Sequence, residues 1–418
     1  MKKSLMNLAM AAFVAMLAAA TGAADGDQPT PENVPELMRT FAGVDVKTRE
    51  EWEKVRAPEL LKRFQKDVYG CRPAVADDRS RVSFKVYDER PVMDGRAVRK
   101  LVRAEFDGPL GKFSFPFNAY IPKAKSPVPA FVSICLQFRS KVGADNVITS
   151  ECWPVEQIVG RGYATAGFLT DDVATEKNTG FAQGVFKCVE PAEARNDESW
   201  GTISAWAWAA SRVMDWIETE PAIDAARVGI VGHSRGGKTA LWAGATDRRF
   251  ALVCSNDSGA HGAKLNHIRL PKSEDIASIP KYFPNWYCGN YPKKHGGREM
   301  TMDFDQHELL ALERLGCCAS ALPPKITGRG SVESGGARSS RHPPGNFTAG
   351  RVSWRSRFPP RAKSSRKAVS RTTCVQASTS WPHTTGTATW TSPNSTGGRV
   401  SSLGGLLLID NLAHELAL

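Results

Sequence analysis

A serine lies at the centre of the stretch of this chain best suited to chemistry. Residues 232–238 read G-H-S-R-G-G-K, after an apolar run at residues 228–231 and before a stretch with helical apolar spacing. Glycines two residues before and two residues after Ser234 allow a strained turn between a strand and a helix. Such a turn lifts the serine hydroxyl above the edge of a sheet, where it can attack a carbonyl carbon. The pattern predicts a serine hydrolase with Ser234 as the nucleophile.

The remaining patterns supply the elements that such a turn requires. Helical apolar spacing spans residues 48–68, and residues 81–106 alternate like two strands around a turn at Asp94-Gly95. Alternating strands and helices predict the α/β class, as a doubly wound three-layer sandwich of the α/β-hydrolase type. The amide of Arg235 would then lie at a helix N-terminus, where it can stabilise an oxyanion. Further strand or helix patterns cover residues 116–137, 153–161, 164–169 and 202–219.

The N-terminus has the pattern of a secretory signal peptide. A basic start, Met1-Lys2-Lys3, precedes an apolar stretch at residues 8–20 and small residues around Ala23. The apolar stretch is too short for a comfortable membrane span. We therefore expect residues 1–24 to be removed and the protein to be exported, to the periplasm or the extracellular space, without a membrane anchor.

The nine cysteines show no spacing typical of a zinc or redox site. They fit buried thiols or an occasional disulfide, and a bridge between Cys152 and Cys188 stays open. A serine mechanism needs no metal and no cofactor, and we expect neither. We also expect a monomer.

The net charge of +12 comes mainly from one segment. Residues 331–400 hold nine Arg, two Lys and a single acid, Glu333, so the first 312 residues are close to neutral. Ser, Arg, Thr, Gly and Pro fill 45 of those 70 positions, and no helical or strand periodicity remains there. The segment also lacks the interleaved aromatic residues that nucleic-acid binding uses. We therefore expect no nucleic-acid partner.

A shifted reading frame accounts for the change of character near residue 312. In this shifted frame each codon combines the third base of one printed residue's codon with the first two bases of the next, so each junction between two printed residues encodes one new residue. The junction Trp381–Pro382 must then encode Ala, and the junction Trp390–Thr391 must encode Asp. The junctions over 371–378 permit Y-H-L-R-A-G-K, and those over 378–393 permit H-E-L-A-A-(H or Y)-D-W-D-R-Y-L-D-F-A, an acidic amphipathic helix. The sequence predicts an incomplete catalytic domain at residues 25–312 and an out-of-frame tail at 313–418, disordered or misfolded.

Over roughly residues 32–312 the chain resembles the bacterial glucuronoyl esterases of carbohydrate esterase family 15. The elbow S-R-x-G-K is far more specific than G-x-S-x-G alone. The resemblance rests on E-L-L-K-R-F at 59–64, V-Y-G at 68–70, R-G-Y-A at 161–164, V-G-H-S-R-G-G-K at 231–238, S-N-D-S-G at 255–259, N-W-Y-C at 285–288 and F-D-Q-H at 304–307.

The resemblance implies a substrate and a role for several residues. The family hydrolyses the ester that joins a (4-O-methyl)glucuronate on xylan to a lignin alcohol. It implies that Ser234 is the nucleophile and that Arg235 stabilises the oxyanion with its amide and guanidinium. Lys238 would bind sugar hydroxyls, although it could be a solvated helix lysine. Trp286 would contact the sugar ring, although it could be an ordinary core residue.

The triad acid and histidine are less clear. Asp257 follows Ser234 by 23 residues, where fungal members carry their acid, but it could equally be a turn or cap residue. Many bacterial members use a later acid, and the shifted frame permits Glu-Asp over residues 324–326. The family's histidine corresponds to the out-of-frame junction Ser378–Thr379, and His414 lacks a matching context. We therefore expect this chain to fold poorly and to keep only residual activity.

Two other functions stay open. The chain could be an acetyl-xylan esterase or a related carbohydrate esterase, although Arg235 and Lys238 favour an acidic sugar. It could also be an inactive pseudogene product or a carbohydrate-binding remnant. Turnover of methyl glucuronate against acetylated xylan separates the esterases, and saccharide affinity without turnover indicates the remnant.

Overall fold

The structure is a computed structural model that describes residues 34–136, 142–143, 145–148, 153–176, 180–267, 276–313, 352–354 and 372–374. A mixed seven-stranded sheet forms its centre. Its strands are β1 (Val82–Val92), β2 (Ala97–Gly108), β3 (Gly111–Pro122), β4 (Val128–Cys135), β5 (Ala164–Leu169), β6 (Ile223–His233) and β7 (Leu252–Asn256). The order is β1-β2-β3-β5-β4-β6-β7. The first three strands form an antiparallel meander that joins β5, whereas β5, β4, β6 and β7 run parallel.

Helices connect and cover these strands. The segment from Arg49 to Tyr69 is helical throughout and includes π-helical turns at Trp52–Arg56 and Gln65–Tyr69. The α-helices are α1 (Arg49–Glu51), α2 (Ala57–Phe64), α3 (Val155–Gly160), α4 (Thr170–Val173), α5 (Phe186–Val189), α6 (Thr202–Ile217), α7 (Arg235–Thr246), α8 (Ile279–Tyr282), α9 (Asn290–His295) and α10 (Gln306–Ala311). Short 3₁₀ turns lie at Ala74–Asp77, Arg79–Arg81, Gly180–Ala182, Ala192–Ala194 and Glu299–Thr301.

Apolar side chains fill both faces of the sheet. On one face, α6 and α7 pack into the larger core, and every residue of α6 is buried. On the other face, α3 contributes Ile158 to a smaller core with Trp153 and Phe131. Parallel strands covered on both sides carry continuous apolar runs, as β4 and β5 do. The three-layer α/β prediction is therefore confirmed, with an antiparallel meander added at one edge.

The local predictions agree with these bounds. The predicted turn at Asp94-Gly95 joins β1 to β2, with both residues at positive φ. In the predicted tail, β8 (Val352–Trp354) pairs antiparallel with β9 (Thr372–Cys374). The predicted signal peptide at residues 1–24 and the rest of the tail lie outside the described residues. Among the helices that the structure describes, none has the length and apolar character to cross a membrane.

Five cysteines of the described segments are free thiols: Cys71, Cys135, Cys188, Cys254 and Cys288. Cys188 is buried and its thiol lies 3.4 Å from the carbonyl oxygen of Lys112. The bridge between Cys152 and Cys188 that the sequence left open is therefore not formed here, and Cys152 itself is outside the described residues.

Candidate active site

Ser234 occupies the sharp turn between β6 and α7, as the sequence predicts. Its backbone has φ 53° and ψ −123°, a region that residues other than glycine rarely adopt. The Ser234 amide donates to the Asn256 carbonyl at 2.9 Å, and its own carbonyl accepts from the Lys238 amide at 3.1 Å. These bonds hold the strained turn in place and leave the serine half-buried at the carboxyl edge of the parallel strands.

The two glycines around Ser234 differ in what they allow. A Cβ on Gly232 would lie 2.1 Å from the Gly236 carbonyl oxygen, so only glycine fits there without moving the backbone. A Cβ on Gly236 would meet the side chains of Ile134 and Leu136 at ordinary contact distances of 3.4 and 3.5 Å. The elbow therefore requires Gly232 for close approach, whereas positive φ is carried by Ser234 itself.

Arg235 begins α7, so its amide lies at a helix N-terminus beside the serine. Its guanidinium Nε lies 2.6 Å from Oε1 of Glu176, and the two side chains are 23% and 24% exposed. Glu176 follows α4 at the end of β5, which brings it to the same sheet edge as Ser234. Burial raises the pKa of Glu176, while Arg235 and the nearby Trp286 indole oppose that rise.

Glu176 was not among the residues that the sequence suggested. A weak signal exists, because Glu176 lies only a few residues beyond the buried strand β5, at the carboxyl edge where α/β proteins carry their sites. The pairing with Arg235 joins residues far apart in the chain, and no local pattern reveals it.

Lys238 lies one helical turn beyond Ser234 and is 2% exposed, so it is not a solvated helix lysine. Its Nζ donates to the Ser258 carbonyl and lies 6.0 Å from the centre of the Trp286 ring. The ammonium therefore ties α7 to the loop after β7.

Trp286 lies beside this pair of basic residues but mostly within protein. It is 4% exposed and stacks on Phe283 with ring centres 4.1 Å apart. Its carbonyl accepts from the Ile203 amide at 3.3 Å, which anchors it to α6. Trp286 thus belongs to the core wall of the site, and contact with a sugar stays a prediction.

Asp257 follows β7 and is half-buried, with φ 46°. Because β7 pairs with β6 through His233 and Asn256, this residue lies at the same sheet edge as Ser234. A hydrogen bond from Ser255 Oγ to the Gly237 carbonyl at 3.1 Å further joins the two segments. The position suits a triad acid, and that role stays a prediction.

Each described histidine is held by a hydrogen bond, an acidic side chain or packed rings, and the buried His261 is held by rings alone, with no hydrogen-bond partner for either ring nitrogen. Nδ1 of His233 lies 3.1 Å from the Asn256 amide, and His267 lies 2.9 Å from Asp305. His261 packs edge-on against Tyr287 and Tyr291, and burial lowers its pKa well below the usual range. His295 packs on Phe304, and Nε2 of His307 lies 3.1 Å from the Pro35 carbonyl. The predicted histidine position at 378–379 and His414 lie outside the described residues.

In the described segments, no group of three or more His, Cys, Asp or Glu side chains could hold a metal ion.

The chain is similar to known esterases over the segment that builds this site. The family model "Glucuronyl esterase, fungi" matches residues 112–313. The carbohydrate esterase MZ0003 of an unknown prokaryotic organism is 28% identical over 319 residues, 69% of this chain and 72% of that protein. The 4-O-methyl-glucuronoyl methylesterase 1 of Sodiomyces alcalophilus is 31% identical over 161 residues, 37% of this chain and 32% of that protein.

Solved structures agree with the sequence comparisons. The glucuronoyl esterase from Solibacter usitatus is 30% identical, with a TM-score of 0.58, over 67% of this chain and 76% of that chain. The family 15 glucuronoyl esterase from Teredinibacter turnerae T7901 is 29% identical, with a TM-score of 0.60, over 67% of this chain and 69% of that chain. The strand–turn–helix around Ser234 thus stands in an α/β-hydrolase fold, and the chain belongs to the glucuronoyl esterases of carbohydrate esterase family 15, which are carboxylic ester hydrolases.

Proposed function

We propose that the site is built to hydrolyse (4-O-methyl)glucuronoyl esters, those that join xylan to lignin alcohols. The observation that carries the proposal is the strained Ser234, followed in α7 by two basic residues, Arg235 and Lys238, in a member of this family. A carboxyl-derived group on a polar sugar suits such a site, because both basic groups offer N–H donors to oxygen atoms.

In this proposal Ser234 Oγ attacks the ester carbonyl carbon and the lignin alcohol leaves. The Arg235 amide and guanidinium stabilise the oxyanion, which is worth several kcal/mol in a dry site, on the order of a 10²–10³ effect on rate. Lys238 and Trp286 bind the sugar, and water then releases the glucuronate from Ser234. Asp257 is the candidate acid that would orient a catalytic histidine.

We further propose that this reading frame lacks the histidine. The family match ends at residue 313, beside the change of composition near residue 312. That agreement supports a catalytic domain at residues 25–312 followed by an out-of-frame tail. Without a general base Ser234 is a weak nucleophile, and loss of one triad member typically lowers kcat by about 10⁴. The chain as it stands would thus be an esterase with only residual activity.

The remaining expectations complete the proposal. Cleavage of residues 1–24 would deliver the protein to the periplasm or the extracellular space, where plant cell-wall polymers are met. We propose a monomer that needs no metal, no cofactor and no nucleic-acid partner.

Resequencing the DNA over codons 300–400, followed by assays of both products, tests the proposal. A frame corrected near codon 312 should hydrolyse the methyl ester of 4-O-methyl-glucuronate, and Ser234→Ala should abolish this turnover. The uncorrected chain should be slower by about three to four orders of magnitude. Equal and normal turnover from both products would refute the proposed loss of the base.

The alternatives predict other results. An acetyl-xylan esterase would release acetate from acetylated xylan faster than it cleaves the uronate ester. A carbohydrate-binding remnant would keep saccharide affinity in Ser234→Ala while neither frame gives turnover.

A further inference from the structure

The ion pair between Glu176 and Arg235 joins two distant parts of the chain at the proposed acyl site. Glu176 comes from the segment after α4, and Arg235 is the residue next to Ser234. Oε1 of Glu176 lies 2.6 Å from Nε of Arg235, a contact between charges in which the Nε–H makes no hydrogen bond. A carboxylate this close to one nitrogen of a planar guanidinium attracts that side of the group and restricts the directions in which the terminal N–H groups point.

Folding stability does not explain this pair well. Both side chains are only about a quarter exposed, and for such largely buried pairs the cost of desolvation offsets most of the attraction between the charges. The carboxylate is also in a costly place, since burial and the nearby Asp171 both raise the pKa of Glu176. The charged Glu176 carboxylate is therefore better explained by its interaction with the Arg235 guanidinium than by a contribution to folding stability.

The charge of Glu176 affects how strongly the site binds the ester substrate relative to the carboxylate product. The ester group of the substrate carries no net charge, whereas hydrolysis leaves a negatively charged carboxylate on the product. An uncompensated Arg235 would attract the carboxylate and hold the product in the site. Glu176 offsets the Arg235 charge and leaves its N–H groups as donors to a neutral carbonyl.

We propose that Glu176 is a positioning residue that orients Arg235 and makes the site prefer a neutral uronate ester over the free uronate. The inference rests on the proposed function and deepens it. Glu176 need not touch the substrate, because it acts through the guanidinium of Arg235.

Ligand binding tests this without requiring turnover. In the full chain carrying Ser234→Ala, dissociation constants for methyl 4-O-methyl-glucuronate and for 4-O-methyl-glucuronate are measured by NMR titration. Adding Glu176→Gln keeps the side-chain size and removes its charge. We expect the affinity for the free acid to rise relative to the ester by roughly fivefold, the size of a partly screened ion pair.

Two further variants make the result specific. Glu218→Gln removes the charge from a carboxyl of comparable exposure, 31%, which lies beyond the end of α6 and pairs with Arg249 at 2.9 Å and with Arg79. It should leave the ratio of the two affinities unchanged. Glu176→Asp keeps the charge and should preserve most of the preference for the ester. Near-UV circular dichroism of the Trp side chains checks that each variant keeps its fold.

The outcomes separate the two proposals. If Ser234→Ala binds both ligands and Glu176→Gln leaves their ratio unchanged, or weakens both equally, the role of Glu176 is refuted while the proposed function stands. If the parent keeps the near-UV circular dichroism of a folded protein but binds neither the ester nor the acid, the proposed function fails and the role of Glu176 fails with it. A shift in the ratio that Glu218→Gln also produces would be a general charge effect and would overturn the inference.

Discussion

At the scale of single residues, Ser234 holds a conformation that costs on the order of 1–3 kcal/mol. The strain persists because its neighbours fix it from both sides. Asn256 accepts from the Ser234 amide, and the Lys238 amide donates to the Ser234 carbonyl. The backbone around the nucleophile is therefore set by β7 and α7 together, before any substrate arrives.

The two glycines of the elbow should respond differently to alanine. Gly232→Ala places a Cβ 2.1 Å from a backbone oxygen, so we expect the free energy of unfolding to fall by about 3 kcal/mol or more. Gly236→Ala meets only ordinary side-chain contacts and favours the helix, so stability should stay the same or rise by up to about 1 kcal/mol. Urea unfolding followed by Trp fluorescence measures both, and equal losses would contradict the different roles of the glycines.

Lys238 should matter for the loop that carries Asp257. Lys238→Met keeps the length of the side chain but leaves the buried Ser258 carbonyl without this donor. We expect a loss of about 1–3 kcal/mol in the free energy of unfolding. Lys293→Met serves as a control, because its ammonium is 65% exposed and its pair with Asp197 should contribute little. Similar losses in the two variants would argue against a structural role for the buried ammonium.

At the scale of elements, α10 is held to the N-terminal helical segment by a buried contact between Arg56 and Glu308. Arg56 contacts Glu308 of α10 and also Glu59, 2.7 Å away. Glu308 accepts from the Asp305 amide and so completes the capping box that begins α10. This contact connects the π-helical turn between α1 and α2 to α10, the last helix of the described catalytic segment, across 252 residues.

The Glu308 carboxyl predicts how stability depends on pH. Burial raises its pKa to about 8, although Arg56 and the Asp305 amide oppose the rise. The folded state then keeps a proton that the unfolded state releases above about 4.5. Folding stability should consequently fall as pH rises from about 4.5 to about 8. Glu308→Gln should lack this part of the decline, whereas Glu59→Gln should retain it.

Urea midpoints at pH 5 and pH 8 provide the comparison for these two variants. A parallel decline in wild type and Glu308→Gln would place the pH dependence at other groups.

Sequence patterns predicted the elements better than the contacts between them. The strand β5 has the predicted limits, and the turn at Asp94-Gly95 has the predicted position, because both depend on local apolar spacing and backbone preference. The pairing of Glu176 with Arg235 depends on how β5 and β6 are arranged in the sheet, which spacing does not reveal. The burial of Lys238 likewise follows from the loop after β7, not from its own helix.

At the scale of the whole molecule, the proposed frame change should separate folding from catalysis. Among the described strands β7 pairs only with β6, and under the proposed frame change the further strands of the domain would be encoded in the shifted frame. Restoring that text should raise the thermal unfolding temperature and increase kcat for methyl 4-O-methyl-glucuronate by about 10³–10⁴. Changing the restored histidine to alanine should remove the gain in kcat and keep the gain in stability. If that variant kept the gain in kcat as well as the gain in stability, the restored segment would act through folding alone, and the histidine would not be the base.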